Sequence, residues 1–184
     1  TASKAGIPNL IDSTLDKELF EYEIKLTERA GHASELATEA KNNHADIVVA
    51  VGGDGTVNEV ARSLVHSDTA LGILPCGSGN GLARHLLLPM NLRKSIEVIN
   101  ACKINDLDYG VINDHPFFCT CGMGFDAFVS MKFAESGKRG PISYAENILR
   151  EGLKYEPETY TLEDETGTKQ YKAFLISCAN ASQY

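Results

Sequence analysis

The sequence predicts an α/β chain that becomes β-rich in its second half. Residues 47–51 and 70–74 are short apolar runs, each followed by a glycine-rich loop and then by apolar residues at helical spacing. Beyond about Lys103 that order gives way to short apolar runs separated by turn clusters. The 184 residues are 43% hydrophobic, enough for a core in one medium domain or two small ones.

Taken in order, Pro8 fits the first turn of a short helix through Leu10, Ile11 and Leu15. Phe20, Tyr22, Ile24 and Leu26 alternate with Glu21, Glu23, Lys25 and Thr27, the pattern of a half-buried strand near a sheet edge. Ala33, Leu36, Ala37 and Ala40 predict a helix over residues 32–43, stopped at Asn42-Asn43. Residues 47–51 are rich in β-branched side chains, as in a central strand covered on both faces. Gly52, Gly53 and Gly55 then turn the chain, with Asp54 the only side chain among them. From Val57, the apolar positions 57, 60, 61, 64 and 65 define a one-faced helix. The second strand, residues 70–74, leads into the loop 75–81 and a helix opened by Leu82, Ala83, Leu86 and Leu87 and ended by Pro89. Leu92, Ile96 and Ile99 predict a further helix over residues 91–101.

Strands over 104–112 and 116–121 flank a hairpin turn at Asn113-Asp114-His115. Strands over 160–162 and 171–179 flank a second turn at residues 165–168. Between the two pairs lie a helical segment over 125–133, a Ser- and Gly-containing link over 136–141, and a helix through Ala145, Ile148, Leu149 and Leu153. The change of pattern divides the chain into an α/β domain, residues 1–104, and the first part of a β-rich domain, residues 105–184.

A net charge of -8 argues against binding of nucleic acid, since a phosphate backbone needs a concentrated basic surface. There is no bilayer-length apolar run and no signal-peptide layout, which fits a cytoplasmic chain. The five cysteines are odd in number and never form a C-x-x-C pair, so they read as reduced, buried thiols. The histidines show no metal-ligand spacing. Lys132, Lys138, Arg139 and Arg150 read either as a solvated helix surface or as a contact for anionic lipid head groups, the solvated surface being the preferred reading.

The chemistry is concentrated in the loops. Parallel strands joined by right-handed crossovers release both glycine loops at one carboxyl edge, facing one crevice. A glycine turn at a helix N-terminus is an anion site, because unpaired N–H groups and the positive end of the dipole converge there. A carboxylate such as Asp54 in that position repels the anion unless it holds Mg²⁺, orients a nucleophile or accepts a proton. Thr56 reads either as a ligand or as the N-cap, and Asn58 and Glu59 either as ligands or as a solvated first turn. Ser78 and Asn80 add polar groups to the second loop.

The stretches Val51-Gly-Gly-Asp-Gly-Thr-Val-Asn-Glu-Val60 and Leu74-Pro-Cys-Gly-Ser-Gly-Asn-Gly-Leu-Ala83 together resemble the catalytic domain of the lipid kinases, among them diacylglycerol, sphingosine, ceramide and bacterial lipid kinases. NAD kinases and phosphofructokinases share the first loop, whereas the proline-led second loop ending in Asn-x-Leu-Ala marks the lipid kinases. Thr27 with Gly31-His32-Ala33, and Gly122-x-Gly124-Phe125-Asp126-Ala127, are similar to further family stretches. The resemblance implies a phosphofructokinase-like, NAD kinase-like α/β nucleotide domain followed by the start of an antiparallel β-sandwich that holds the lipid. It also implies ATP and Mg²⁺ as cofactors, transient contact with a membrane surface from the cytoplasm, and no nucleic-acid partner; it leaves a homodimer open. Thr27, Gly52, Gly53, Asp54, Gly55, Thr56, Val57, Asn58 and Glu59, with Gly77, Ser78, Gly79 and Asn80, would contact ATP. Asp54 would be the general base or a positioning group, and Asp126 would contact the lipid head group, its other reading being an N-cap. The metal ligands stay unassigned.

Two departures stand out. The family's Asn-Pro-x-Ser-Gly loop would end where Thr1 stands, and its second domain, with a further acidic residue and a structural Mg²⁺ site, continues beyond Tyr184. The expectation is little or no activity from these 184 residues alone. The leading reading is an ATP-dependent lipid kinase. The alternatives are a kinase for a soluble substrate such as NAD and a non-catalytic module that senses nucleotide or lipid.

Overall fold

In the computed structural model the described residues are 4–135, 152 and 155–182. They fall into two compact units: one runs up to Cys119 and takes back the segment from Asn180, and the other is Thr120–Ala179.

The first unit is built on two parallel strands, β1 (Ile47–Gly52) and β2 (Ala70–Pro75), paired from Ile47 with Ala70 to Gly52 with Pro75. Side chains alternate across a strand, so each face carries every second residue. On one face Ala50 and Ile73, partners in the register, are buried beneath α2 (His32–Asn42) and α3 (Asp54–Leu64). Ala33, Ala37, Val57, Val60, Ala61 and Leu64 complete that core, which bears out the helical spacing of both segments. Leu74 alternates with Ile73 and is also buried; α5 (Leu92–Asn100), with its buried Ile96, packs on β2, and α1 (Ile7–Thr14) packs on α5. Asn91 caps α5, its side chain accepting the Lys94 N–H at 3.2 Å.

Several expectations are corrected. Residues 20–27 form no strand: among the described residues they join no ladder, and Tyr22, Ile24 and Leu26 are exposed. Period-2 alternation defines two faces, but a strand also needs a neighbour to receive its N–H and C=O groups. Instead this stretch is tied to α2 by Lys25, which meets Glu39 at 2.7 Å. Helix α3 begins at Asp54 rather than Val57, with Gly53 as its N-cap, so the N-cap reading of Thr56 does not hold. Helix α4 (Gly81–His85) stops well before Pro89; Leu87 takes a positive φ of 56° and is 89% exposed. Of residues 104–112 only β3 (Gly110–Ile112) is a strand. It forms a two-residue hairpin with β4 (His115–Phe117), and both loop residues, Asn113 and Asp114, have the positive φ of a type I′ turn.

The first unit runs beyond the change of pattern expected at residue 105. The reason is packing: β4 lies against α3, Arg62 donates to the Pro116 carbonyl at 2.9 Å, and Phe118 is buried in the α2–α3 core.

The second unit contains β5 (Thr120–Gly124), α6 (Phe125–Glu135), β6 (Glu158–Asp164), β7 (Gly167–Ala173) and β8 (Leu175–Ala179). The hairpin β6–β7 is antiparallel, as the turn pattern requires, whereas residues 171–179 are broken at Phe174 and their second part, β8, pairs antiparallel with the distant β5. Helix α6 packs on β5, and Phe125, Tyr155 and Phe174 form an aromatic cluster with ring centroids 5.0 to 5.3 Å apart. The link over 136–141, the helix through Ala145, Ile148, Leu149 and Leu153, and the side chains of Lys132, Lys138, Arg139 and Arg150 lie outside the described residues.

Candidate active site

The two glycine loops touch. A Cβ on Gly77 would stand 2.5 Å from the Gly53 Cα, and one on Gly53 would stand 3.0 Å from the Gly77 Cα. Only two residues without side chains can bring these backbones together. The Cys76 N–H also donates to the Gly52 carbonyl at 2.8 Å, so the loops run side by side from the strand ends.

Asp54 closes this arrangement. Its Oδ2 accepts the Asn80 N–H at 2.9 Å and its Oδ1 accepts the Gly81 N–H at 2.6 Å, which places a carboxylate from the first turn of α3 on the N-terminus of α4. Gly79 lets Asp54 in, because a Cβ there would stand 2.7 Å from Oδ2. Asn80 is 8% exposed, in left-handed backbone at φ 54°, and its amide spans the loop: Oδ1 accepts the Gly77 N–H and Nδ2 donates to the Gly77 carbonyl, both at 2.8 Å. Asn80 therefore builds the loop. Arg84, which sequence reasoning did not single out, donates from Nε to the Gly79 carbonyl at 2.8 Å.

Glu59 makes a matching contact one turn further along α3. Its Oε1 accepts the Gly31 N–H at 3.0 Å and its Oε2 the Ala33 N–H at 3.2 Å, so it occupies the N-terminus of α2. Two carboxylates of α3 thus satisfy the N–H groups of two neighbouring helices, while the N-terminus of α3 itself is left open. Among the described residues the N–H groups of Asp54, Gly55 and Thr56 have no acceptor, and a Cβ on Gly55 would meet nothing within 4 Å. The Ser78 and Gly79 N–H groups beside them are likewise without an acceptor among the described residues. Such a cluster of donors at a helix N-terminus suits an anion.

The remaining residues singled out from sequence are placed as follows. Gly52 ends β1, where a Cβ would collide with Thr56. Val57 is buried in the core, so only its backbone faces the loop, and its N–H already donates to the Gly53 carbonyl at 3.0 Å. Thr56 and Asn58 are half-buried in the first turns of α3, Ser78 is exposed at the tip of the second loop, and Thr27 is exposed in the extended stretch before α2. Asp126 belongs to the second unit and lies inside the first turn of α6, which starts at Phe125, so it is not the N-cap.

Cys119, one of the five cysteines read as buried thiols, is half-buried beside the second glycine loop. Its Sγ lies 3.7 Å from where a Gly81 Cβ would be, and burial, then the Asp54 charge, pushes its thiol pKa up. Cys102 and Cys178 are exposed rather than buried, Cys102 just past the end of α5 and Cys178 in β8. Among the described residues no three His, Cys, Asp or Glu side chains gather as a metal site. No helix among them is long and apolar enough to cross a membrane.

Residues 2–112, which carry both glycine loops, match the diacylglycerol kinase catalytic domain. The chain belongs to that family. It is 32% identical over 145 residues to a diacylglycerol kinase of Staphylococcus saprophyticus, covering 77% of this chain and 47% of the relative. It is 28% identical over 176 residues to "Probable lipid kinase YegS" of Escherichia fergusonii, covering 92% of this chain and 59% of that one. The chain thus spans roughly half the length of these curated relatives. A crystal structure of a diacylglycerol kinase from Bacillus anthracis str. Sterne superposes with a TM-score of 0.70 at 22% identity, over 95% of this chain and 61% of the other, and so shares the fold. The matched residues include all of α3 and its open N-terminus.

Proposed function

We propose that this chain supplies the nucleotide-binding loops of a lipid kinase that transfers the γ-phosphoryl group of ATP to a lipid hydroxyl. The observation that carries the reading is the open N-terminus of α3, flanked by two helix N-termini that Asp54 and Glu59 already occupy. On this reading the first unit is a phosphofructokinase-like nucleotide domain, and the antiparallel second unit belongs to a lipid-binding β-sandwich.

Phosphoryl transfer needs mainly positioning and charge neutralisation. The N–H groups of Asp54, Gly55, Thr56, Ser78 and Gly79 would receive phosphate oxygens, with the Ser78 and Thr27 hydroxyls at the margins. Mg²⁺, which typically binds through one or two carboxylates plus substrate phosphates, would neutralise phosphate charge there, with Asp54 as its protein carboxylate. The Asp54 oxygens each keep a lone pair beside the N–H they accept, leaving the group able to take the proton of the attacking hydroxyl or to orient it. Asp126 would contact the lipid head group. The acceptor implies a protein that meets the membrane surface transiently from the cytoplasm.

The test is an incubation of the protein with ATP, Mg²⁺ and either a total lipid extract or NAD. Mass spectrometry should find new phosphate on lipid, and Asp54→Asn should slow turnover by about 100-fold or more. Phosphate appearing on NAD and on no lipid would overturn the acceptor, and full turnover by Asp54→Asn would overturn the role of the carboxylate.

A further inference from the structure

We propose that Glu59 is a positioning residue, a remote cap that hangs the segment 27–33 on α3 and so fixes the stretch that carries Thr27, which the reading above assigns to ATP. The consequence for ATP rests on the kinase reading above; the contact itself does not. The N-cap of α2 is Gly31, at φ 81°, which has no side chain to receive the first-turn N–H groups. Those groups would be left partly buried, since Ala33 is 5% exposed. Glu59 supplies the missing acceptor from another helix, one oxygen to Gly31 and the other to Ala33, and a carboxylate at the positive end of α2 makes both bonds charge-assisted.

The same seam continues along α3. Ser63, four residues after Glu59 and therefore on the same helix face, donates to the Ser34 carbonyl at 3.1 Å, and its carbonyl accepts Lys41 Nζ at 2.8 Å. Toward the N-terminus, His32 Nδ1 accepts the Glu28 N–H at 3.1 Å and closes the turn that leads back to Thr27. Position thus passes from α3 through Glu59 to Gly31, and through the turn over 28–32 to Thr27. Both Glu59 oxygens face the N-terminus of α2, which gives the residue a positioning role in place of the direct nucleotide contact that its place after Gly-Gly-Asp-Gly-Thr suggests. It also denies an anion the competing N-terminus of α2.

Two variants separate the possibilities. Glu59→Gln keeps one acceptor oxygen and Glu59→Ala keeps none. Residue-resolved amide exchange should accelerate at Gly31 and Ala33 by about fivefold or more in Glu59→Ala, and less in Glu59→Gln. The Kd for ATP by calorimetry, and the KM for ATP wherever turnover is measurable, should rise in the same order, with kcat nearly unchanged. Unchanged exchange at Gly31 and Ala33 in Glu59→Ala would overturn the cap. Faster exchange with unchanged ATP affinity would reduce Glu59 to a purely structural group and overturn its positioning role. Equal loss of kcat in both variants would make it a direct participant and overturn the proposal as well. A protein that phosphorylates no lipid yet shows the ordered weakening of ATP binding would overturn the kinase reading while upholding Glu59.

Discussion

Gly55 and Gly77 stand in adjacent loops, and a single methyl group should have opposite effects at the two. Gly55 is helical and faces open space, so Gly55→Ala removes unfolded-state freedom without a clash and should raise stability by about 0.5–1 kcal/mol. The methyl would nevertheless stand at the open N-terminus of α3, and ATP affinity should fall. At Gly77 the methyl meets the Gly53 backbone, which cannot rotate away, so Gly77→Ala should cost about 1–3 kcal/mol. Thermal melts with and without ATP and Mg²⁺ check both. A Gly55→Ala protein that is both stabilised and fully protected by ATP would show that the phosphate lies elsewhere.

At the scale of elements, the α2–α3 contact depends on small residues. Ala37 is 1% exposed within the core shared by α2, α3 and β1, and Ala33 and Ala61 are buried with it. These alanines let the helix axes approach closely enough for Glu59 and Ser63 to reach the backbone of α2. Ala37→Leu adds volume where none is free and should destabilise by about 1–3 kcal/mol in chemical denaturation. It should also weaken ATP binding, because it lifts α2 from the carboxylate that caps it. A denaturation midpoint equal to that of the parent would show that the interface has room to repack.

At the scale of the whole molecule, the units differ in how much they bury. Strands β1 and β2 are covered by helices, whereas nearly every residue of β6 and β7 is exposed. A two-stranded ribbon without a buried face is marginal by itself. Hydrogen exchange of the 184-residue chain should therefore leave β1, β2 and α3 as the slowest segments, with β6–β7 exchanging faster by about two orders of magnitude or more. Comparable protection in β6–β7 would mean that the hairpin has found a covering face.

The sequence by itself determined the local grammar. Apolar spacing placed α2, α3 and α5, the paired glycine loops pointed to an anion site, and the Asn-Gly-Leu-Ala ending pointed to the lipid kinase family, to which the chain belongs. These signals are legible because periodicity, caps and glycine requirements act over a few neighbouring residues. The tertiary structure decided what depends on partners far apart in the chain. Residues 20–27 have the alternation of a strand but no ladder, and the hairpin after residue 105 packs with the first unit because Phe118 and Pro116 find α3. Above all, Asp54 and Glu59 look alike in the sequence as acidic residues near a phosphate loop. Only the fold shows that one carboxylate occupies the start of α4 and the other the start of α2, leaving the N-terminus of α3 open. The N–H groups they accept lie 26 to 28 residues away from them in the chain, at a distance that no local pattern encodes.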